Sequence, residues 1–261
     1  MSINSHLVTT AGSLIITQTE RDVIDNHITA LKNKLSSYFD KDTFEEQFTF
    51  GSYARKTLMP RRADPASDVD FMLVFKNKSY QPATYLRYLR EFAVEKYYSS
   101  EIYQSHPTIV LELSKIKIEL VPSIKSAWDD YQIPAPSSNY EAWLTTHPTI
   151  FNATLSSKNT AEKSLIRPLV RIMKYWNAAN DHVYSSYELE GLIANHFYYY
   201  CNSLWDYFNS FVSSLSTYGK PSYKVTKIEK LKNVVSEAKQ LDANGYPSIA
   251  ENKLKEVIPV Y

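Results

Sequence analysis

The stretch 51–73, GSYARKTLMPRRADPASDVDFML, constrains this chain more than any other, and within it the Asp68-Val69-Asp70 triplet that leads into an apolar run. Strand side chains alternate faces with a period of two, so Asp68 and Asp70 point the same way. Two carboxylates held that close oppose each other unless a cation sits between them. Magnesium is the usual answer, because it takes carboxylate oxygens together with substrate phosphates. Gly51 lets backbone come close to a phosphate, and Ser52 at a helix start can bond a phosphate oxygen. The stretch reads as a metal-dependent site for a nucleoside triphosphate.

The flanking residues supply a scaffold. Thr17 with Glu20 forms a capping-box pattern, and Ile24, Ile28, Leu31, Leu35 and Phe39 follow at helical spacing, which predicts a packing helix over 17–39. Strands are expected at 44–50, 68–75, 108–113 and 116–121, with Pro122 ending the last. Helices are expected at 52–58 and 82–98, with a Pro-bearing loop at 59–67. This order describes a mixed sheet with helices against it. Residues 123–158, with Pro134, Pro136, Pro148 and Ser-Ser and Asn-Tyr pairs, read as an extended crossover between lobes. The rest reads as helical, at about 160–180, 186–206, 206–216, 225–240 and 247–256. The expected architecture is α+β: a mixed-sheet lobe at 1–158 and a helical lobe at 159–261, with the active site in the cleft.

On 116–121, Ile116, Ile118 and Leu120 face one way while Lys117 and Glu119 face the other. If this strand lies beside 68–75, Glu119 becomes a third carboxylate at the same site, with Glu112 as the fallback. Three acids can hold two ions, one lowering the pKa of an attacking hydroxyl and one steadying the leaving pyrophosphate. In the second half, Arg167, Arg171 and Lys174 fall at i, i+4 and i+7, a basic stripe suited to an anion, although Arg171 can equally pair with a carboxylate. Pro168 marks either the first turn of a separate helix or a kink. Ser185 and Glu188 form a second capping-box pattern. The helix start they define exposes amides to an anion, and Tyr187 just inside it can stack on a base.

Composition narrows the partners. A net charge of +1 argues against a large basic surface for long nucleic acid. One cysteine, Cys201, excludes an internal disulfide and the usual Cys/His zinc cluster, and it is expected to be buried. His147, His182 and His196 lack ligand spacing. No apolar run approaches the ~20 residues of a membrane span, and the N-terminus reads as lacking a signal peptide. A cytoplasmic monomer is expected.

The Gly51-Ser52 pair, Ser67-Asp68-Val69-Asp70 and a strand ending Glu119-Leu120-Val121-Pro122 together resemble the DNA polymerase β-type nucleotidyltransferase superfamily. IRPLVRIMKYWN at 166–177 and SSYELE at 185–190 narrow this to the bacterial cGAS/DncV-like nucleotidyltransferases of the SMODS group. The resemblance covers nearly the whole chain. It implies a two-lobed enzyme that joins ribonucleoside triphosphates into cyclic di- or trinucleotide signals for anti-phage defence (CBASS), read by a downstream effector. It also implies that Asp68, Asp70 and Glu119 hold two Mg²⁺ ions, with Mn²⁺ as the alternative. Gly51 and Ser52 would bind the donor triphosphate, Lys174 and Ser186 would contact its phosphates, and Tyr187 would stack on its base. One departure stands out: the family usually has Asp where this chain has Glu119. Misplacing a reacting group by ~1 Å costs of order 100-fold, so an absorbed shift, altered metal preference and weak activity all stay open. Transfer to an RNA 3′ end or a protein hydroxyl is the alternative of the same chemistry, and a degenerate nucleotide-binding module is the alternative of another class.

Overall fold

The computed structural model describes residues 2–105, 107–135 and 141–261. It opens with a helix the sequence reading does not anticipate, α1 (Ile3–Ser13), capped by the Ser2 hydroxyl, which accepts from the Ser5 N–H. Ile3, Leu7 and Ala11 recur every fourth residue and are buried, a helical stripe diluted by Ser, Thr and Gly neighbours of low helix propensity. Helix α2 (Gln18–Tyr38) begins as expected. The Glu20 N–H donates to the Thr17 hydroxyl at 3.2 Å, and the Glu20 carboxylate accepts from the Thr17 N–H at 2.7 Å.

Strand β1 (Phe44–Thr49), the single-turn α3 (Gly51–Ala54), β2 (Val69–Phe75) and α4 (Pro82–Lys96) follow. Then come β3 (Glu101–Ser105), β4 (Thr108–Glu112), β5 (Lys117–Lys125), β6 (Tyr131–Pro134) and β7 (Trp143–Thr146). The sheet order is β1-β2-β5-β4-β3, with β6 pairing β5 and β7. Its central pair, β2 and β5, is parallel, and β1–β2, β3–β4 and β4–β5 are antiparallel. Beyond Asp70, β2 is buried on both faces, which is why Phe71–Phe75 reads as an unbroken apolar run.

Three expectations for this part are corrected. Strand β3 is new: its residues are mostly exposed, so no alternation marks them. Pro122 does not end β5, which runs on to Lys125. The proline sits where β4 has already stopped pairing, at Leu120, and β6 has not begun, at Ile124, so its missing N–H costs no bond on that side. The crossover is structured too, because it contains β6, β7 and the start of α5 (Pro148–Ala161). Pro136 and the Ser-Ser and Asn-Tyr pairs of that reading lie outside the described residues.

The remaining helices are α6 (Ile166–Ala178), α7 (Ser186–Asn195), α8 (Leu204–Ser214), α9 (Ser222–Ala243) and α10 (Pro247–Leu254). The helix expected over 160–180 divides at Lys163 and Ser164, both with positive φ, and Pro168 takes the first turn of α6, where its missing N–H is harmless. The helix expected over 186–206 stops at Asn195. A fresh capping box, Ser203 with Asp206, starts α8. Cys201 is only partly buried, not a core residue.

The chain forms two compact units: Thr17–Leu58 with Ala66–Ala153, carrying the sheet, and Met1–Ile16 with Met59–Pro65 and Thr154–Tyr261, carrying the helices. The first sixteen residues thus belong with the helices and not with the sheet. The reason is packing, because α1 lies against α6, α8 and α10. His6 fixes the arrangement by bonding the Ile258 carbonyl at 2.8 Å.

Candidate active site

The parallel register of β2 and β5 sets Asp70 directly beside Glu119 and Val69 beside Ile118. In-register neighbours share a face, so the Asp70 and Glu119 carboxylates stand side by side, with Asp68 on the same face two residues before Asp70. Glu112 pairs with Lys117 instead, two residues before Glu119 at the start of β5. The opposite face carries Ile118 and Leu120, which are buried.

Glu119 is largely buried, and its Oε2 accepts from the Thr108 hydroxyl at 3.0 Å. Burial, then the neighbouring Asp68 charge, push its carboxyl above the usual carboxylate range. Lys117 answers both acids: its ammonium lies 3.1 Å from Asp68 Oδ2 and 3.3 Å from Glu119 Oε1. Burial works to lower the Lys117 ammonium, but Asp68 and Glu119 outweigh it and the net shift is upward.

Gly51 closes the site from the other side. Its φ is +66°, and a Cβ built there would fall 1.7 Å from Asp70 Oδ2 and 2.7 Å from Asp70 Cγ. Only glycine lets the backbone pass so close to this carboxylate. The Phe50 N–H donates to the Asp70 carbonyl at 3.1 Å, which pins the turn to β2. Ser52 is buried, and its carbonyl accepts from the Thr57 and Leu58 N–H groups, curling the chain back after α3.

The donor set suits a hard divalent cation, being carboxylate oxygens on rigid neighbouring strands. That an ammonium is already drawn between Asp68 and Glu119 shows that the site attracts positive charge. As they stand, no three or more His, Cys, Asp or Glu side chains among the described residues are grouped to hold a metal. The residues therefore fit a metal chemically, while Lys117 holds the position between two of them.

The helical unit holds the other expected residues. Helix α6 is buried nearly all round, Arg171 and Lys174 included, rather than split into an apolar and a basic face. Arg171 Nε donates to the Ala11 carbonyl at 3.1 Å, and burial followed by Arg167 lowers its guanidinium to about 10. Lys174 Nζ lies 3.6 Å from the fully buried Glu190. At α7 the capping box is half formed: the Ser185 hydroxyl accepts from the Glu188 N–H at 3.1 Å, while the Glu188 carboxylate turns to Lys220 at 3.3 Å. Ser186 is half-buried, and Tyr187 is 64% exposed.

Two residues, one in each unit, went unread in the sequence. Thr108 is findable only through the β4–β5 register, which places it two residues from the partner of Glu119. Asn177 clamps the chain before α7: its side chain accepts from the Tyr184 N–H at 3.0 Å and donates to the Tyr184 carbonyl at 2.9 Å. The Asn of the KYWN motif thus fixes where the SSYELE motif begins. His182 lies beside Asp64, His147 beside Asp130 and His196 beside Ser210, none in a group of ligands.

A mixed sheet whose parallel central pair sets acids against a Gly-Ser turn, with helices in a second unit, is the α+β arrangement expected from the sequence. Comparison with known proteins narrows it. Residues 1–159 match the Second Messenger Oligonucleotide or Dinucleotide Synthetase (SMODS) domain, and the chain belongs to that family. A protein of Bacillus cereus strain VD146 described as a probable cyclic nucleotide synthase is 25% identical over 217 residues, which cover 66% of this chain and 62% of that relative. The chain also resembles Escherichia coli MS115-1 CdnC, solved with ATP, at a TM-score of 0.73 and 14% identity over 99% of this chain and 98% of that one. Bradyrhizobium diazoefficiens CdnG, solved with GTP, gives a TM-score of 0.73 and 12% identity over 98% of each chain. At such identities the likeness to the solved structures is one of fold. Among the described residues no helix is long and apolar enough to cross a membrane.

Proposed function

We propose that this chain is a metal-dependent nucleotidyltransferase that joins ribonucleoside triphosphates into a cyclic di- or trinucleotide, a signal for a downstream effector in anti-phage defence. The observation that carries the reading is the register of Asp70 beside Glu119, with Asp68 two residues upstream and the Gly51 backbone closed on Asp70. Membership of the SMODS family supports the cyclic product.

In this reading Asp68, Asp70 and Glu119 hold two magnesium ions. When bound, these supply charge neutralisation at the phosphates and a lowered pKa at the attacking hydroxyl. A ribose hydroxyl attacks the α-phosphorus, a new phosphodiester bond forms, and the bond to pyrophosphate breaks. Glu119, buried and steadied by Thr108, is proposed to orient that hydroxyl and accept its proton. Gly51 and Ser52 take the triphosphate of the donor. From the helical unit, Ser186 at the start of α7 and the exposed Tyr187 are proposed to contact phosphate and base. Lys174 and Arg171 are proposed to reach phosphate as well, which requires them to leave Glu190 and the Ala11 carbonyl.

The test is Asp68→Ala combined with Asp70→Ala, assayed by pyrophosphate release with magnesium and all four ribonucleoside triphosphates. Release should fall to background while circular dichroism stays unchanged. Undiminished turnover would sink the assignment.

A further inference from the structure

Lys117 is not used in the chemistry above, yet it occupies the most consequential position in the sheet unit. Its partners are the two carboxylates that flank the expected metal position, at 3.1 and 3.3 Å. Strand register holds it there, since Lys117 and Glu119 are two residues apart on β5 and share a face. Little solvent reaches the group: the side chains of Lys117 and Glu119 are 14% and 15% exposed. A cation so placed screens the repulsion between Asp68 and Glu119 and competes for the same oxygens as a divalent ion.

We propose that Lys117 is a resident cation that keeps the carboxylate site closed to free divalent metal and yields it when a nucleoside triphosphate enters. The inference rests on the metal-site reading above. A triphosphate brings several negative oxygens within reach of the ammonium. Moving onto them costs Lys117 little charge compensation and frees Asp68 and Glu119 for the incoming ions. A long, flexible four-carbon stem suits such a move, and an ammonium is a good point-charge partner for phosphate. Metal entry and nucleotide entry become one coupled event, which limits metal occupancy without substrate.

The coupling predicts two effects of opposite sign in Lys117→Met. Nucleotide-free manganese binding, read by electron paramagnetic resonance of the free ion, should tighten about tenfold, within the usual range of coupling between linked sites. In EDTA, binding of each of the four ribonucleoside triphosphates should weaken, because a phosphate contact is gone. Lys117→Arg should keep weak manganese binding, and Lys117→Gln gives the same reading as Met should the latter fail to fold. A merely structural lysine would weaken both kinds of binding, and that result overturns the proposal. Manganese that binds wild type and Lys117→Met alike overturns the role of Lys117 and leaves the metal site standing. Manganese that binds neither, at concentrations that support pyrophosphate release, overturns the role of Lys117, because removing the ammonium then opens nothing; the metal-site reading fails instead if Asp68→Ala with Asp70→Ala keeps its turnover.

Discussion

Gly51→Ala is the sharpest perturbation of the site, because its two effects are separable. The first is conformational: φ is +66°, and an L side chain in the left-handed region costs ~1–2 kcal/mol. The second is steric. The new methyl would lie 1.7 Å from Asp70 Oδ2 and 2.7 Å from Cγ. Ordinary contacts between such atoms begin well above 3 Å, so the carboxylate must retreat by more than about 1 Å. Turning χ1 is the cheap escape, but it moves the oxygens out of register with Glu119. A misplacement of that size costs of order 100-fold in rate, or about 2.7 kcal/mol of activation free energy. Gly219 provides the control: its φ is +70° and nothing lies within 4 Å of its added Cβ. Gly219→Ala should therefore lose ~1–2 kcal/mol of stability with turnover intact. Gly51→Ala should lose similar stability and about 100-fold in kcat. Pyrophosphate release and thermal unfolding, measured on both variants, check this. If the two variants share the same kcat to within about twofold, the close approach of Gly51 to Asp70 does not matter and the reasoning fails.

Three further predictions concern the helical unit. Asn177→Ala removes two buried hydrogen bonds to the Tyr184 backbone and leaves that N–H and C=O unpaired by it, so it should destabilise by about 2–4 kcal/mol in urea unfolding. Tyr184→Phe should be neutral or stabilising, because that hydroxyl is buried with no hydrogen-bond partner among the described residues. His196 supplies a pH test: burial, then Lys158, hold its imidazole below the ordinary 6.5. A depressed folded pKa means that the unfolded chain binds more protons in the window between the two values. The contribution of His196 is then fully present above pH 6.5 and is lost as pH falls through the folded value. Stability measured from pH 7.5 downward should fall across that window, and His196→Gln should flatten the fall; an unchanged slope would contradict the assignment.

How much of this was legible in the sequence depended on whether the signal was local. The Thr17–Glu20 box, the α2 stripe and the apolar β2 run each lie within a few residues, and each is found where the pattern puts it. The pairing of Asp70 with Glu119 was legible only as a condition, that 116–121 lie beside 68–75, and the parallel β2–β5 register meets it. What stayed hidden depended on partners distant in sequence. Helix α1 is stabilised by α6, α8 and α10 rather than by propensity. Pro122 is tolerated because β4 and β6 pair with β5 on either side of it. The exposed β3 has no inward face to alternate with. Lys174 and Arg171 illustrate the same limit from the side of function: helical spacing placed them on one stripe, but only packing reveals that both are buried. Lys117 was visible as the neighbour of Glu119, and its second partner, Asp68, required the tertiary fold.

The central claim is that the sheet site builds a cyclic oligonucleotide from ribonucleoside triphosphates, and product analysis tests it most directly. The protein is incubated with all four labelled ribonucleoside triphosphates and magnesium or manganese, treated with phosphatase, and its products are resolved by mass. The account predicts a small phosphatase-resistant product whose mass equals two or three nucleoside monophosphates less one water for each phosphodiester bond, ring closure included. Label retained on an RNA end or on protein, or triphosphates left intact with no pyrophosphate released, would contradict it.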